Sequence, residues 1–505
     1  TTIALHVAQF QEHQTAIINH LFRVKLSHWD PDIRLLASQS LNQLTVLNPD
    51  FMVDEVLPYL LEHCLDDKNV HMRHGATLGL AEVVLAFGKI DANNRYLSPQ
   101  LHKLIAETPL TIEKKRLYRG KGGEQMRAAV CRLIACISMS HIPLTVPQQV
   151  RLLDSIDTCI PHPTEMIQEQ AGRALFALAR SYFPVSEKGP SDRLQKRVVD
   201  KYTNEARTSI NPAATRGYSL ALGYLPAKLL APSLDVLDIS LSCLCRISHP
   251  NAKVGNDKDA ETRRNALVSL SRILETVGIV PSREQCECVV AFSNVQLKQV
   301  FDTYMRSMED YNTDQRGDVG SKCRLAAMNG LVGLATITTD QKHIEESGVD
   351  LFSTELCLRI IGLLLKQFSE KLDFVRSEAA GCLLTLLDEK SPVKAYITKR
   401  QILLDALTPP QFKGTLTYQS SNWAEASITY PMVMKAAEID EYFGYVISGL
   451  ILSTGGLTKS VTQNSSLVLI QWVRSADEVK LDRLGTGKSI KKFVSIYHSR
   501  NIVLI

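Results

Sequence analysis

A three-residue signature returns along this chain: a basic residue, a small one three positions later and an aliphatic one seven positions later. It reads Arg34, Ala37, Leu41 in "DPDIRLLASQSL" and Arg73, Ala76, Leu80 in "NVHMRHGATLGL". It continues with Arg127, Val130, Ile134, then Arg263, Ala266, Leu270, then Arg324, Ala327, Leu331, and Arg376, Ala379, Leu383. A weaker copy puts Gln168 in the basic slot ahead of Ala171 and Leu175, and Arg216 in "NPAATRGYSLAL" is a marginal eighth member. The steps between these anchors are 39, 54, 41, 48, 47, 61 and 52 residues, averaging about 49. Positions i, i+3 and i+7 share one face of a helix. The small residue lets a neighbouring helix approach closely, and the aliphatic one fills the core between them.

Most copies follow a turn containing Pro, Gly, Asp or Asn, among them "SHWDPD", "DDKNV", "GKGGEQ", "DKDAE" and "RGDVG". An Asp or Asn there can cap the next helix by accepting a bond from an orphaned backbone N–H. Upstream of each turn lies a second amphipathic run, such as "VDEVLPYLLEHCL" or "TELCLRIIGLLLKQF". Helix, polar turn and capped helix at this period predict an all-α chain, a HEAT/armadillo-type α-solenoid in which helix pairs stack into a superhelix. The alternative is a globular α-protein whose helices share a generic pattern. Composition agrees with helix-on-helix packing: 45% of residues are hydrophobic but only 6% aromatic. The expected organisation is a repeat solenoid over 1–400, an irregular connecting segment over 401–432, and C-terminal helical repeats with a cap over 433–505. The connecting stretch "LTPPQFKGTLTYQSSNWAEASITYP" shows no helical period.

Several features invite other readings. Arg316-Gly317-Asp318 forms an adhesive tripeptide, but its place between paired helices predicts a turn with Asp318 as the N-cap. Eleven cysteines occur without a C-x-x-C. The C-x-C pairs Cys243/Cys245 and Cys286/Cys288 point apart if helical, so the thiols read as small buried hydrophobes in a reducing compartment. No run reaches about 18 consecutive apolar residues, so no membrane span is expected. The chain opens "TTIALHVAQF" without initiator Met or signal-like features, and reads as a piece of a longer protein. The sequon Asn464-Ser465-Ser466 is expected to stay unmodified in a cytosolic chain.

The segment "RLGTGKSI" suggests a phosphate loop, but the first glycine of that motif would fall on Asp482, whose carboxylate opposes phosphate. No nucleophile–base motif, H-E-x-x-H or paired carboxylates stand out, so no catalytic, cofactor or metal residues are assigned. His71 and His74 share a helix face beside Arg73 and read as capping or packing groups. The net charge of +4 is too balanced to imply nucleic acid. The densest charge is "EKKRLYRGKGG", with Lys114, Lys115, Arg116, Arg119 and Lys121 against Glu113 and Glu124. It is either a solvated insertion or a surface that draws an acidic partner, with Tyr118 as an anchor among the basic residues.

Six stretches, in order, resemble segments of the tubulin-folding cofactor D family: "SHWDPDIRLLASQSL", "HMRHGATLGLAEV", "RLYRGKGGEQMRAAV", "DAETRRNALVSL", "DYNTDQRGDVGSKCRLAAM" and "SGLILSTGGLTKS". They run from about residue 27 to 460, and "RGDVG" and "HMRHG" are the most specific. The resemblance implies a HEAT-repeat chaperone, of which this chain would be the C-terminal part. It implies binding of β-tubulin, and joint action with cofactors E and C and an Arf-like small GTPase to assemble or disassemble the αβ-tubulin dimer. It further implies that the assembled complex stimulates GTP hydrolysis on tubulin while this member is not itself an enzyme. A cytoplasmic, cytoskeleton-associated location is implied too, with centrosome and cell junctions as family sites. One departure is Lys322, where the family tends to place an aromatic after "RGDVGS". Two further classes compete: a HEAT-type transport receptor or phosphatase scaffold, and an enzyme using "GTGKS" for nucleotide.

Overall fold

The computed structural model describes residues 2–90, 96–118, 120, 122–183, 185–186, 189–249, 259–280, 290–347, 351–407 and 423–475. Each signature lies on a helix: α1 (Pro31–Thr45), α2 (Val70–Ile90), α3 (Gly123–Met139), α4 (Glu165–Tyr182), α5 (Pro212–Leu222), α6 (Ala260–Val277), α7 (Ser321–Thr339) and α8 (Asp373–Leu387). Local chemistry starts them. Asp30 accepts from the Asp32 N–H at 2.9 Å with Pro31 in the first turn, and Asn211 does the same for Ala213 at 3.0 Å ahead of Pro212. Asn69 caps His71 and Met72, and Asp259 caps Thr262 at 3.0 Å.

These helices pack in strict succession, α1 on α2, α2 on α3, and so on to α8. Each also packs on the helix that precedes its turn, from Leu21–Lys25 under α1 through Val146–Cys159 under α4 to Thr354–Phe368 under α8. The result is a two-layer array of helix pairs stacked in succession, an α-solenoid. The small and aliphatic positions are buried throughout, from Ala37 and Leu41 to Ala379 and Leu383. Arg216, marginal in sequence, is a full member, because α5 takes its place between α4 and α6.

The basic slot is itself inside. Arg34, Arg73, Arg263, Arg324 and Arg376 are buried, as is Gln168, while Arg127 and Arg216 are half-buried. Most anchors turn back to carbonyls of their own turn: Arg34 to His28 and Trp29 (2.6 and 2.9 Å), Arg73 to Asp66 (2.6 Å), Gln168 to His162 (2.6 Å), Arg376 to Glu370 and Lys371 (2.8 and 2.9 Å). Six also reach forward one repeat. Arg34 meets His74 at 2.9 Å, Gln168 the Ala213 carbonyl at 2.9 Å, and Arg216 both oxygens of Asp259 at 2.6 Å. Arg263 meets Asp310 at 2.8 Å, Arg324 meets Gln367 at 3.0 Å, and Arg376 meets the Ala424 carbonyl. Full charge is tolerated at these depths because the guanidinium groups find acceptors there, three or more in the cases of Arg34 and Arg324.

Three expectations need adjusting. Asp318 is not the N-cap residue: α7 starts at Ser321 with Gly320 in that position. Asp318 ends a small hairpin, Thr313–Asp314 paired with Gly317–Asp318, and accepts from the Ser321 N–H at 3.1 Å while both carboxylate oxygens hold Arg324 at 3.1 Å. The buried cation needs a counter-charge, and that requirement places the carboxylate. Second, part of the 401–432 segment is helical, in Arg400–Leu407 and Ala426–Ala436, while 408–422 lie outside the described residues. Beyond α8, Thr354–Phe368 packs on Asp440–Thr454, which packs on Lys459–Ser475. Third, Lys322 is partnered by Glu261 on α6, at 2.7 Å. Glu261 also takes Arg316 at 2.6 Å, tying the Arg-Gly-Asp hairpin to α6. Desolvation pushes the Glu261 carboxyl up, but hydrogen bonds from Lys322 and Arg316 outweigh it and hold it well below the carboxylate range.

Candidate functional site

The basic stretch begins where the helix Pro99–Lys114 ends. Lys115 is the C-cap, Arg116 takes a left-handed backbone (φ 56°), and the Arg116 and Leu117 N–H groups bond back to Glu113 and Ile112 at 2.8 and 3.1 Å. This is the helix-ending motif that glycine usually occupies; an arginine there accepts local strain to keep its charge at the surface. Lys114, Lys115 and Arg116 are exposed, and among the described residues none has a carboxylate within ion-pair distance. Arg119 and Lys121 lie outside the described residues.

Tyr118 behaves differently from a free surface anchor. Its ring is half-buried and carries the Arg127 guanidinium 4.6 Å from its centroid. Burial, then the Glu113 charge, pushes its hydroxyl up to about 12. Its carbonyl lies where a Cβ on Gly123 would come within 2.2 Å, so only glycine permits α3 to start against the loop.

Beside this stretch, between Pro99–Lys114 and Val146–Cys159, runs an open groove of about 1040 Å³. Lys103, Lys114 and Arg151 face it, with Glu107, Glu113 and Asp154; Asp154 is paired with Arg197 at 2.6 Å. The groove escaped the sequence reading, although Lys103, Glu107, Leu110 and Lys114 follow one another at helical spacing along one face. A cation-bearing rim next to an open groove can receive an extended or helical protein segment.

The remaining candidates have structural places. Arg34, Arg73, Arg263, Arg324 and Arg376 are joints between helices, with Ala37, Ala76, Ala266, Ala327 and Ala379 in the seams. His71 and His74 pack around Arg34, at 3.3 and 2.9 Å. Desolvation first, then the Arg34 charge, drops His74 to about 3, so it accepts that bond as a neutral ring. Cys243 and Cys245 are buried on one helix, the first 3.6 Å from the Thr203 carbonyl. Cys286, Cys288, "RLGTGKSI" and the last stretch lie outside the described residues. Among the described residues no cluster of His, Cys, Asp or Glu is arranged for a metal ion, and no helix is long and apolar enough to cross a membrane.

Residues 358–500 match the family described as tubulin folding cofactor D C terminal. Over 582 aligned positions the chain is 24% identical to the tubulin-specific chaperone D of Dictyostelium discoideum, covering 98% of this chain and 38% of that one. The chain therefore spans well under half the length of this relative. Among solved structures, an engineered protein is similar with 13% identity and a TM-score of 0.30, covering 91% of this chain and 99% of that one. A chain from microtubule polymerases with tumor overexpressed gene domain arrays, described in connection with tubulin recruitment and assembly, is similar at 12% identity and a TM-score of 0.26, covering 95% and 99%. At that distance neither structural likeness carries functional information.

Proposed function

We propose, from the match of residues 358–500 to the family described as tubulin folding cofactor D C terminal and from the similarity to a tubulin-specific chaperone D, that this chain is a non-enzymatic tubulin-folding scaffold. It binds β-tubulin within the αβ-tubulin dimer. With cofactors E and C and an Arf-like small GTPase it assembles or disassembles that dimer, and the complex stimulates GTP hydrolysis on tubulin. Its place is the cytoplasm and cytoskeleton, with centrosome and cell junctions as further sites. The observation that carries this reading is the alignment of 98% of this chain to 38% of the chaperone, together with an array of helix pairs suited to binding a partner. Such an array presents a long surface and draws affinity from a few anchors rather than from area.

The exposed cations at 114–116, with Arg119 and Lys121 beside them in sequence, are the proposed contact for an acidic face of that partner. They act more on association rate than on affinity. The test is capture of αβ-tubulin by the chain, wild type against Lys114, Lys115, Arg116, Arg119 and Lys121 all changed to Glu. Weaker, slower capture by the variant is expected. Capture by wild type but equal capture by the variant removes the basic stretch from the interface. No capture by either removes tubulin binding from this part of the protein.

A further inference from the structure

Nine described cysteines are free and buried. Seven of them are isolated, and burial pushes their thiols up: Cys64, Cys136, Cys323, Cys357 and Cys382 to about 12, Cys243 and Cys245 to about 11. These are inert hydrophobes. Cys131 and Cys159 are not isolated. Cys131 stands on α3, one turn after Arg127; Cys159 closes Val146–Cys159, the helix that opens the next pair.

The two thiols line one void of about 10 Å³, roughly the space of a water molecule, together with Tyr118, Arg127, Ser155 and Thr158. The void thus brings the two cysteines and the Arg127 guanidinium to one small space. The Thr158 Oγ1 lies 3.9 Å from that sulfur. A thiol, a cation and a hydroxyl converging on one sulfur favour its thiolate. The neighbouring Cys131 thiol, and then the Arg127 charge, accordingly draw Cys159 below the ordinary thiol range against the effect of burial, while Cys131 beside it is raised. Cys159 keeps 5% of its surface exposed and Cys131 only 1%, so an oxidant meets Cys159 first.

We propose that Cys131 and Cys159 form a peroxide-sensitive dithiol whose oxidation to a disulfide staples α3 to the helix of the following repeat. In the first step the Cys159 thiolate sulfur attacks one oxygen of hydrogen peroxide. The O–O bond breaks, Cys159 becomes a sulfenic acid, and hydroxide leaves and takes up the proton that Cys159 had shed, giving water. In the second step the Cys131 sulfur attacks the Cys159 sulfur. The S–O bond breaks, an S–S bond forms, and a second water leaves carrying the Cys131 proton. Two electrons pass from the sulfurs to the peroxide. Because α3 and Val146–Cys159 belong to successive helix pairs, the bond fixes the angle between them. The assignment rests on this chain's own thiols and is independent of the tubulin reading.

The test uses the full chain, reduced, treated with graded hydrogen peroxide, blocked with N-ethylmaleimide and mapped by mass spectrometry without reductant. A peptide cross-linked through Cys131 and Cys159 is expected, lost on adding dithiothreitol, with a rise in melting temperature that Cys159→Ser abolishes. Cys131→Ser should leave Cys159 trapped as a sulfenic acid that dimedone captures. Should a serine variant fail to fold, the wild-type map alone decides. Both thiols still free at peroxide levels that oxidise N-acetylcysteine, or cross-links scattered among other cysteines, overturn the proposal.

Discussion

Ala327→Asp probes the seam on which the array depends. Ala327 is 0% exposed, and α7, which carries it, is packed between α6 and α8. The nearest anchor, Arg324, is already committed to Asp318, Gln367 and the Asp310 carbonyl. A new carboxylate therefore finds neither water nor a free cation, and its least costly course is to take up a proton. From an ordinary value near 3.9, staying protonated at neutral pH costs about 1.4 kcal/mol per pH unit over about three units, or about 4 kcal/mol. Lost helix propensity adds roughly 0.6 kcal/mol, and the extra volume adds about 1–3 kcal/mol. The expected deficit is about 6–8 kcal/mol.

The sign of the pH dependence separates this cause from bulk alone. The folded-state value of the introduced carboxyl is raised, so the penalty is full at neutral pH and vanishes below the unfolded value. The gap between variant and wild type should then narrow by about 2.7 kcal/mol between pH 7 and pH 5. Ala327→Asn, similar in size and without a proton to gain, should show a gap constant with pH. Urea denaturation followed by circular dichroism at each pH reads both. A wild-type midpoint for Ala327→Asp, or a gap indifferent to acid, refutes the assigned packing.

Two further outcomes follow from the charged joints. Arg263 and Asp310 pair at 2.8 Å with both side chains 1% exposed, so Arg263→Met alone strands a buried carboxylate and costs about 3–5 kcal/mol. Arg263→Met with Asp310→Leu should cost less than the two single changes summed; additive urea midpoints across the cycle would sink the pairing. Glu261, held low by Lys322 and Arg316, contributes stability that is complete above the ordinary glutamate value near 4.3 and lost as pH falls toward its folded value. Glu261→Gln should therefore lower the melting temperature at neutral pH and lower it less at about pH 3; an equal deficit at both contradicts the account.

The seams were legible because a helix face repeats locally: Arg324, Ala327 and Leu331 announce one side of α7 without any knowledge of what lies opposite. The depth of the basic slot was not legible. A guanidinium goes inside only when acceptors await it, and those acceptors sit either in the preceding turn or a whole repeat away, as Asp259 does for Arg216. No local pattern records a partner at that separation. The same holds for Lys322, which stands out in its own turn but is explained only by Glu261 on α6. Tyr118 shows another limit: among five cations it reads as an anchor, and nothing local announces that Arg127, nine residues on, lies over its half-buried ring. The helix Arg400–Leu407 is too short to display a period beside the proline-containing run that follows it.

Leu-and-Ala seams resist separation but are nearly indifferent to sliding, since apolar contact has little direction. Direction comes from the anchors, most of which bind back to their own turn and six of which bind forward to the next repeat. The joint between α3 and α4 departs from this scheme. Its slot holds Arg127, engaged by the Tyr118 ring and the Cys159 thiol in place of a carboxylate or carbonyl of the next repeat. At the opposite end of the same joint, Ser181 bonds the Ser138 carbonyl at 2.8 Å and Tyr182 the Ile142 carbonyl at 2.7 Å. One end is therefore fixed by directional bonds, and the turn edge is held by softer contacts, with the exposed cations and the open groove beside it. Closure of the dithiol would harden that edge, so a change there reaches the surface proposed for the partner without altering any residue on it.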